Sequence, residues 1–125
     1  MSTQDDVRRL ALSLPEVVEA TGQFGFCVPD GDKLRLFAWA WPERVHPKRP
    51  RRQNPGVLVV RVDGLNAKAL LLDSDPEKFF TDPHYARYPS VLVRLGAIGV
   101  DELEALLVDA WSCMAPPALR RSFEH

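Results

Sequence analysis

Cysteine is scarce in this chain of 125 residues: Cys27 and Cys113 are the only two, and no CxxC pair occurs. That argues against a thiolate metal centre or a dithiol redox pair. Long apolar runs are missing as well, since none approaches the ~18 residues that a spanning helix needs. The opening residues, Met1 to Asp6, are polar and lack the apolar stretch of a signal peptide. The expectations are a cytoplasmic address, no membrane association and two reduced, buried thiols. The three histidines, His46, His84 and His125, are far apart in sequence. A three-histidine metal site would need distant coincidence, and no metal or other cofactor is expected. Nor is there a GxGxxG, Walker A, HExxH or GxSxG sequence. An enzyme is therefore disfavoured.

What remains is ordinary globular material. With 46% hydrophobic and 26% charged residues, the chain reads as one domain spanning 1–125, large enough to bury a stable core unaided. Val7, Leu10, Ala11 and Leu14 recur at helical spacing, with Ser2 or Thr3 as N-cap, Asp5 and Asp6 near the positive end of the dipole, and Pro15 as the stop. Strand signals follow. Phe24, Phe26 and Val28 precede the turn Pro29-Asp30-Gly31-Asp32. Leu34–Trp41 alternates an aliphatic face with an aromatic one, and Val57, Val59 and Arg61 alternate with Leu58, Val60 and Val62. Asn66 to Leu72 is helix-prone, and Asp75-Pro76 and Asp82-Pro83 read as caps of two short helical turns. Val91, Val93 and Leu95 mark a late strand. Asp101 caps a second amphipathic helix with Leu103, Leu106, Leu107, Ala110, Trp111 and Met114 on one face, ended by Pro116-Pro117. Strands joined by turns rather than crossover helices predict an α+β fold, an antiparallel sheet with helices on one face.

Net charge is −1, but the distribution is polarised. Residues 42–55 hold Arg44, Lys48, Arg49, Arg51 and Arg52 against Glu43 alone, a local +4 that leaves −5 on the rest of the chain. Such a loop suits phosphate oxygens, with guanidinium forks as donors and Pro42, Pro47, Pro50 and Pro55 restricting the free loop. A solvated hairpin connection that keeps the sheet soluble and protects an edge is the commoner role of such a charge run. Trp39 and Trp41 share a strand face, with Phe37 preceding them on it. Beside a basic loop that row could stack bases, but an aromatic stripe on a strand is more often core. His84, near Asp82 and Tyr85, has the chemistry of a proton carrier. No second histidine, acid pair or nucleophile lies within motif spacing, and a structural hydrogen bond is the simpler role.

Several segments together resemble the MmcQ/YjbR family of small bacterial proteins: Leu14-Pro15-Glu16-Val17, Phe37-Ala38-Trp39, the block from Asp75 to Tyr85, Tyr88 to Leu95, and Asp101-Glu102-Leu103 to Asp109-Ala110-Trp111. The resemblance covers nearly the whole chain in order. It implies an α+β, double-wing arrangement of about five antiparallel strands with N- and C-terminal helices packed on them, and a DNA-binding label that many members carry. It supplies no catalytic residues. Pro83, His84 and Tyr85 lie in the matching block without an implied role, and Arg44–Asn54 departs from the family pattern as an insertion. The leading expectation is a non-enzymatic binding protein that contacts DNA or RNA phosphates through Arg44, Lys48, Arg49, Arg51 and Arg52, with Trp39 and Trp41 beside them. The alternative is a protein- or small-ligand-interaction module that uses the aromatic sheet face or the Phe79–Tyr88 block.

Overall fold

A computed structural model describes residues 1–123; His125 lies outside the described residues. The first helix, α1 (Gln4–Leu12), starts at Thr3, whose hydroxyl accepts from the Asp6 N–H while the Asp6 carboxylate accepts from the Thr3 N–H. This reciprocal capping box satisfies two otherwise orphaned donors. Ser2 instead ties the N-terminus to the body of the fold. It is buried, and its hydroxyl donates to the Ile98 carbonyl at 2.8 Å.

Six strands follow: β1 (Val18–Glu19), β2 (Gly25–Asp30), β3 (Lys33–Glu43), β4 (Arg52–Arg61), β5 (Phe79–Phe80) and β6 (Ser90–Arg94). They form one sheet in the order β1-β2-β3-β4-β6-β5, and every neighbouring pair is antiparallel. Between β4 and β5 runs α2 (Gly64–Ser74); after β6 come α3 (Val100–Met114) and α4 (Pro117–Phe123). The fold is α+β, with one strand more than expected from the sequence. Two short strands are not among the strand segments read from the sequence: β1, which pairs with β2, and β5, where Phe79 and Phe80 join β6 instead of a helical turn. Around it, Asp75 and Asp82 each cap a single turn, their carboxylates accepting the N–H groups of Glu77 at 3.0 Å and Tyr85 at 2.8 Å.

Two core layers hold the sheet. On one face, Val7, Leu10 and Ala11 of α1 and Leu103, Leu107, Ala110 and Trp111 of α3 pack on Phe26, Leu58, Val60, Val91 and Val93. Trp111 also donates its indole N–H to the Pro15 carbonyl at 3.1 Å, joining α3 to the chain just beyond α1. On the other face a smaller layer unites Trp39, Val57, Val59, Leu92 and Tyr85. Alternation along β4 divides as the sequence implies, Leu58 and Val60 to one face and Val57 and Val59 to the other.

Alternation along β3 does not. Ala38 pairs with Phe26 but Leu36 pairs with Cys27, so Phe37 is an extra residue opposite a register shift. A bulge of this kind turns two successive side chains to one face. Phe37 and Ala38 both enter the helix-side core, and Leu36 and Trp39 lie on the opposite side. Phe37 therefore shares no face with Trp39. Two other expectations also change. The N-cap of α3 is Gly99, with Asp101 and Glu102 inside the first turn, and Pro117 begins a further helix, α4, after the stop at Pro116.

Candidate functional site

The basic segment is the distal half of the β3–β4 hairpin. Beyond Ala40↔Leu58 the register jumps to Trp41↔Asn54, so Pro55, Gly56 and Val57 are extra on β4. Pro55 has no N–H to donate to the ladder, and an irregularity at this point follows. The hairpin then resumes with Pro42↔Gln53 and Glu43↔Arg52. The expected loop of residues 42–55 is thus shorter: only 44–51 lie outside strand, and the flanking Pro42 and Pro55 belong to the strands.

Every residue from Arg44 to Gln53 is exposed. Two arginines brace the tip from within: Arg44 donates to the Pro47 carbonyl at 3.0 Å and Arg51 to the Pro42 carbonyl at 2.9 Å. The Arg49 N–H donates to the His46 carbonyl at 3.0 Å and the Lys48 N–H to its ring Nδ1 at 3.1 Å, closing a turn over residues 46–49. Glu43, the lone acid, accepts from the Asn54 amide at 3.0 Å. Among the described residues, Arg8, Arg9, Arg35 and Lys78 are ion-paired, whereas none of the five hairpin cations is. Five positive charges are held together with Glu43, across the ladder from Arg52, as the one acid of the segment.

The tryptophans sit at the foot of this hairpin and face inward. Trp39 is 7% exposed. Its indole N–H donates to the Tyr85 hydroxyl at 3.1 Å, the Tyr85 ring lies 6.1 Å away, and the Arg61 guanidinium covers the ring at 5.2 Å. No ring face is left for a base, so Trp39 cannot stack on nucleic acid as its position in the sequence suggested. Trp41 is half-buried, meets Phe80 edge-on at 5.4 Å and donates its N–H to the Asp82 carboxylate at 2.9 Å. Both tryptophans anchor the hairpin rather than line its surface.

Residues 82–88 drape over the same sheet face. Tyr85 is the buried member; Pro83 and His84 are exposed. The His84 ring stands edge-on to Tyr85 at 4.7 Å and 6.3 Å from Tyr88. The face expected to offer a concave apolar site is consequently filled by the chain's own segment. Lys68 of α2 is a contributor that sequence reasoning missed. It is buried at 3% exposure, and its ammonium donates to the Tyr85 and Tyr88 carbonyls, the second at 2.8 Å. Its placement three residues before Leu71, inside an apolar helix, was the available signal. Burial lowers its pKa, with the Asp82 carboxylate opposing that shift.

No family model matches the chain. It is 34% identical to the uncharacterised proteins Rv2570 of Mycobacterium tuberculosis and Mb2600 of Mycobacterium bovis, over 98% of this chain and 96% of each relative. The chain belongs to their family. In fold, this member of the Rv2570 family matches the crystal structure of Deinococcus radiodurans protein DR2400, a DUF419 domain. The TM-score is 0.72 at 22% identity, covering 99% of this chain and 89% of that one. Among the described residues of this family member, no helix is long and apolar enough to cross a membrane, and no group of His, Cys, Asp and Glu side chains could hold a metal.

Proposed function

We propose that this chain is a non-enzymatic member of the MmcQ/YjbR group that binds nucleic-acid phosphates through the tip of its β3–β4 hairpin. The DUF419 fold is related to that group's, which is consistent with the sequence resemblance. The observation that carries the reading is the set Arg44, Lys48, Arg49, Arg51 and Arg52, exposed and without a carboxylate partner. Elsewhere on the chain the balance is negative, so this is where a polyanion would be steered.

Chemistry favours phosphate over base readout. Guanidinium forks match phosphate oxygens, and contacts to the backbone fix position without reading sequence. Arg44 spends one N–H on the Pro47 carbonyl of the tip and Arg51 one on the Pro42 carbonyl of β3, which holds each side chain in place and leaves further donors on the same fork. A braced, proline-restricted tip loses little conformational freedom on docking. With Trp39 buried and the Trp41 N–H engaged, neither tryptophan enters the contact set.

Fluorescence anisotropy of a labelled oligonucleotide tests this. Wild-type protein should bind duplex or single-stranded probes of differing sequence with similar affinity, and glutamine at all five positions should abolish binding while the unfolding midpoint stays near wild type. Equal affinity of the fivefold variant would refute the assignment.

A further inference from the structure

A second feature lies away from the hairpin. α2, α3, α4 and the end of β4 enclose a cleft of about 580 Å³, within the usual range for small-molecule sites. Val62, Ala67, Leu71 and Leu106 give it an apolar floor. Four charged side chains line it, two of each sign: Arg61 and Arg120, Asp63 and Asp109.

These four do not neutralise one another. Among the described residues no ion pair forms between any of them, although all border one cavity. Two are also idle in the roles their positions would give them. Asp63 is the N-cap of α2, yet its carboxylate makes no capping hydrogen bond. The Arg61 Nε–H is buried without an acceptor, even though its guanidinium is fixed over Trp39. A buried donor left without a partner is uncommon enough to need an explanation. Arg120 is steadied by donating to the Ser112 carbonyl at 3.4 Å, its one side-chain hydrogen bond among the described residues.

Cys113, half-buried in the wall, senses all four. Burial pushes its thiol pKa up, Asp63 and Asp109 push it further, and Arg120 and Arg61 oppose them. A thiol so placed stays protonated at neutral pH and is a poor nucleophile. The carboxylates and this thiol do not make a metal-holding group. Non-covalent binding is the chemistry that remains.

We propose that this cleft binds a small zwitterion with an apolar body, a short apolar peptide whose free carboxylate meets Arg61 and Arg120 and whose ammonium meets Asp63 and Asp109. Asp63, Asp109 and Arg120 are exposed and hydrated in the free chain, so a ligand of one charge would gain from one pair and be repelled by the other. A ligand bearing both charges satisfies both pairs, and its side chains cover the aliphatic floor. This site shares no residue with the hairpin tip, residues 44–52, and meets the hairpin only at Arg61, the far end of β4, so either can fail without the other.

The test is calorimetry and thermal unfolding of the full chain with leucyl-leucine, its N-acetyl and C-amide derivatives, and free leucine. Leucyl-leucine at millimolar concentration should raise the unfolding temperature, because a ligand that binds only the folded state stabilises it. Capping either end should weaken binding about tenfold, the effect of losing one charge-assisted hydrogen bond. Free leucine, which fills less of the floor, should bind more weakly than the dipeptide. Asp109 and Arg120 are exposed, so Asp109→Asn and Arg120→Gln should keep the ligand-free unfolding temperature and lose about tenfold in affinity. No shift with leucyl-leucine, equal binding of its capped forms, or undiminished binding by both variants would overturn the assignment.

Discussion

Trp41 donates its indole N–H to the Asp82 carboxylate across 2.9 Å, linking residues 41 positions apart. The contact fastens the foot of the basic hairpin to the segment that covers the sheet. The other oxygen of Asp82 accepts the Tyr85 N–H at 2.8 Å, so one carboxylate orders both elements. Asp82→Ala should cost roughly 1–3 kcal/mol in urea unfolding, since it strands two partly buried donors. A cost near zero would mean that the two elements are held by ring packing alone.

Lys68 offers a test by pH. Its folded pKa lies below the ordinary 10.5, with burial as the main cause. Between those two values the unfolded chain binds more protons, so folding stability should rise with pH and level off near 10.5. Lys68→Met should remove that rise. It should also cost roughly 1–3 kcal/mol at neutral pH, because the Tyr85 and Tyr88 carbonyls lose their donor. Chemical denaturation at a series of alkaline pH values measures both.

Asp6 acts at the other end of the scale. Its backbone hydrogen bond to Thr3 lowers its pKa below 3.8, with smaller help from the Thr3 hydroxyl and Arg9 against a burial effect that opposes them. The stabilisation is therefore present above pH 3.8 and disappears as pH falls through the folded value. Asp6→Asn should lower stability at neutral pH and flatten the acid limb of the unfolding profile. Denaturant midpoints between acid and neutral pH would show it.

Much of the fold is legible in the sequence because it rests on alternation and caps. The two faces of β4, the apolar stripe of α3 and the Thr3 cap all follow from residue spacing. β3 departs from its pattern because period-two reasoning assumes an unbroken ladder, and nothing local announces an extra residue at Phe37. The strand character of Phe79-Phe80 depends on pairing with β6, a non-local partner, while the local Asp-Pro signals point to helical turns. The hairpin cations are visible as a charge run. That none of them forms an ion pair among the described residues, and that Lys68 and Asp82 brace the sheet's second face, depends on three-dimensional proximity.

The bulge itself can be probed. Phe37 is fully buried on the helix side, so Phe37→Ala should cost about 3–5 kcal/mol, in the range of large aromatic truncations. Trp41→Ala, at a half-buried position on the other face, should cost less. Equal costs in guanidinium unfolding would contradict the assignment of these side chains to different layers.

Salt dependence of nucleic-acid binding examines the hairpin most directly. If all five cations contact duplex phosphates, log K plotted against log salt should fall with a slope of about −4 to −5. Each single neutralisation among Arg44, Lys48, Arg49, Arg51 and Arg52 should reduce that slope by about 1. A slope near zero, or one unchanged after all five positions are neutralised, would contradict phosphate contact by the hairpin.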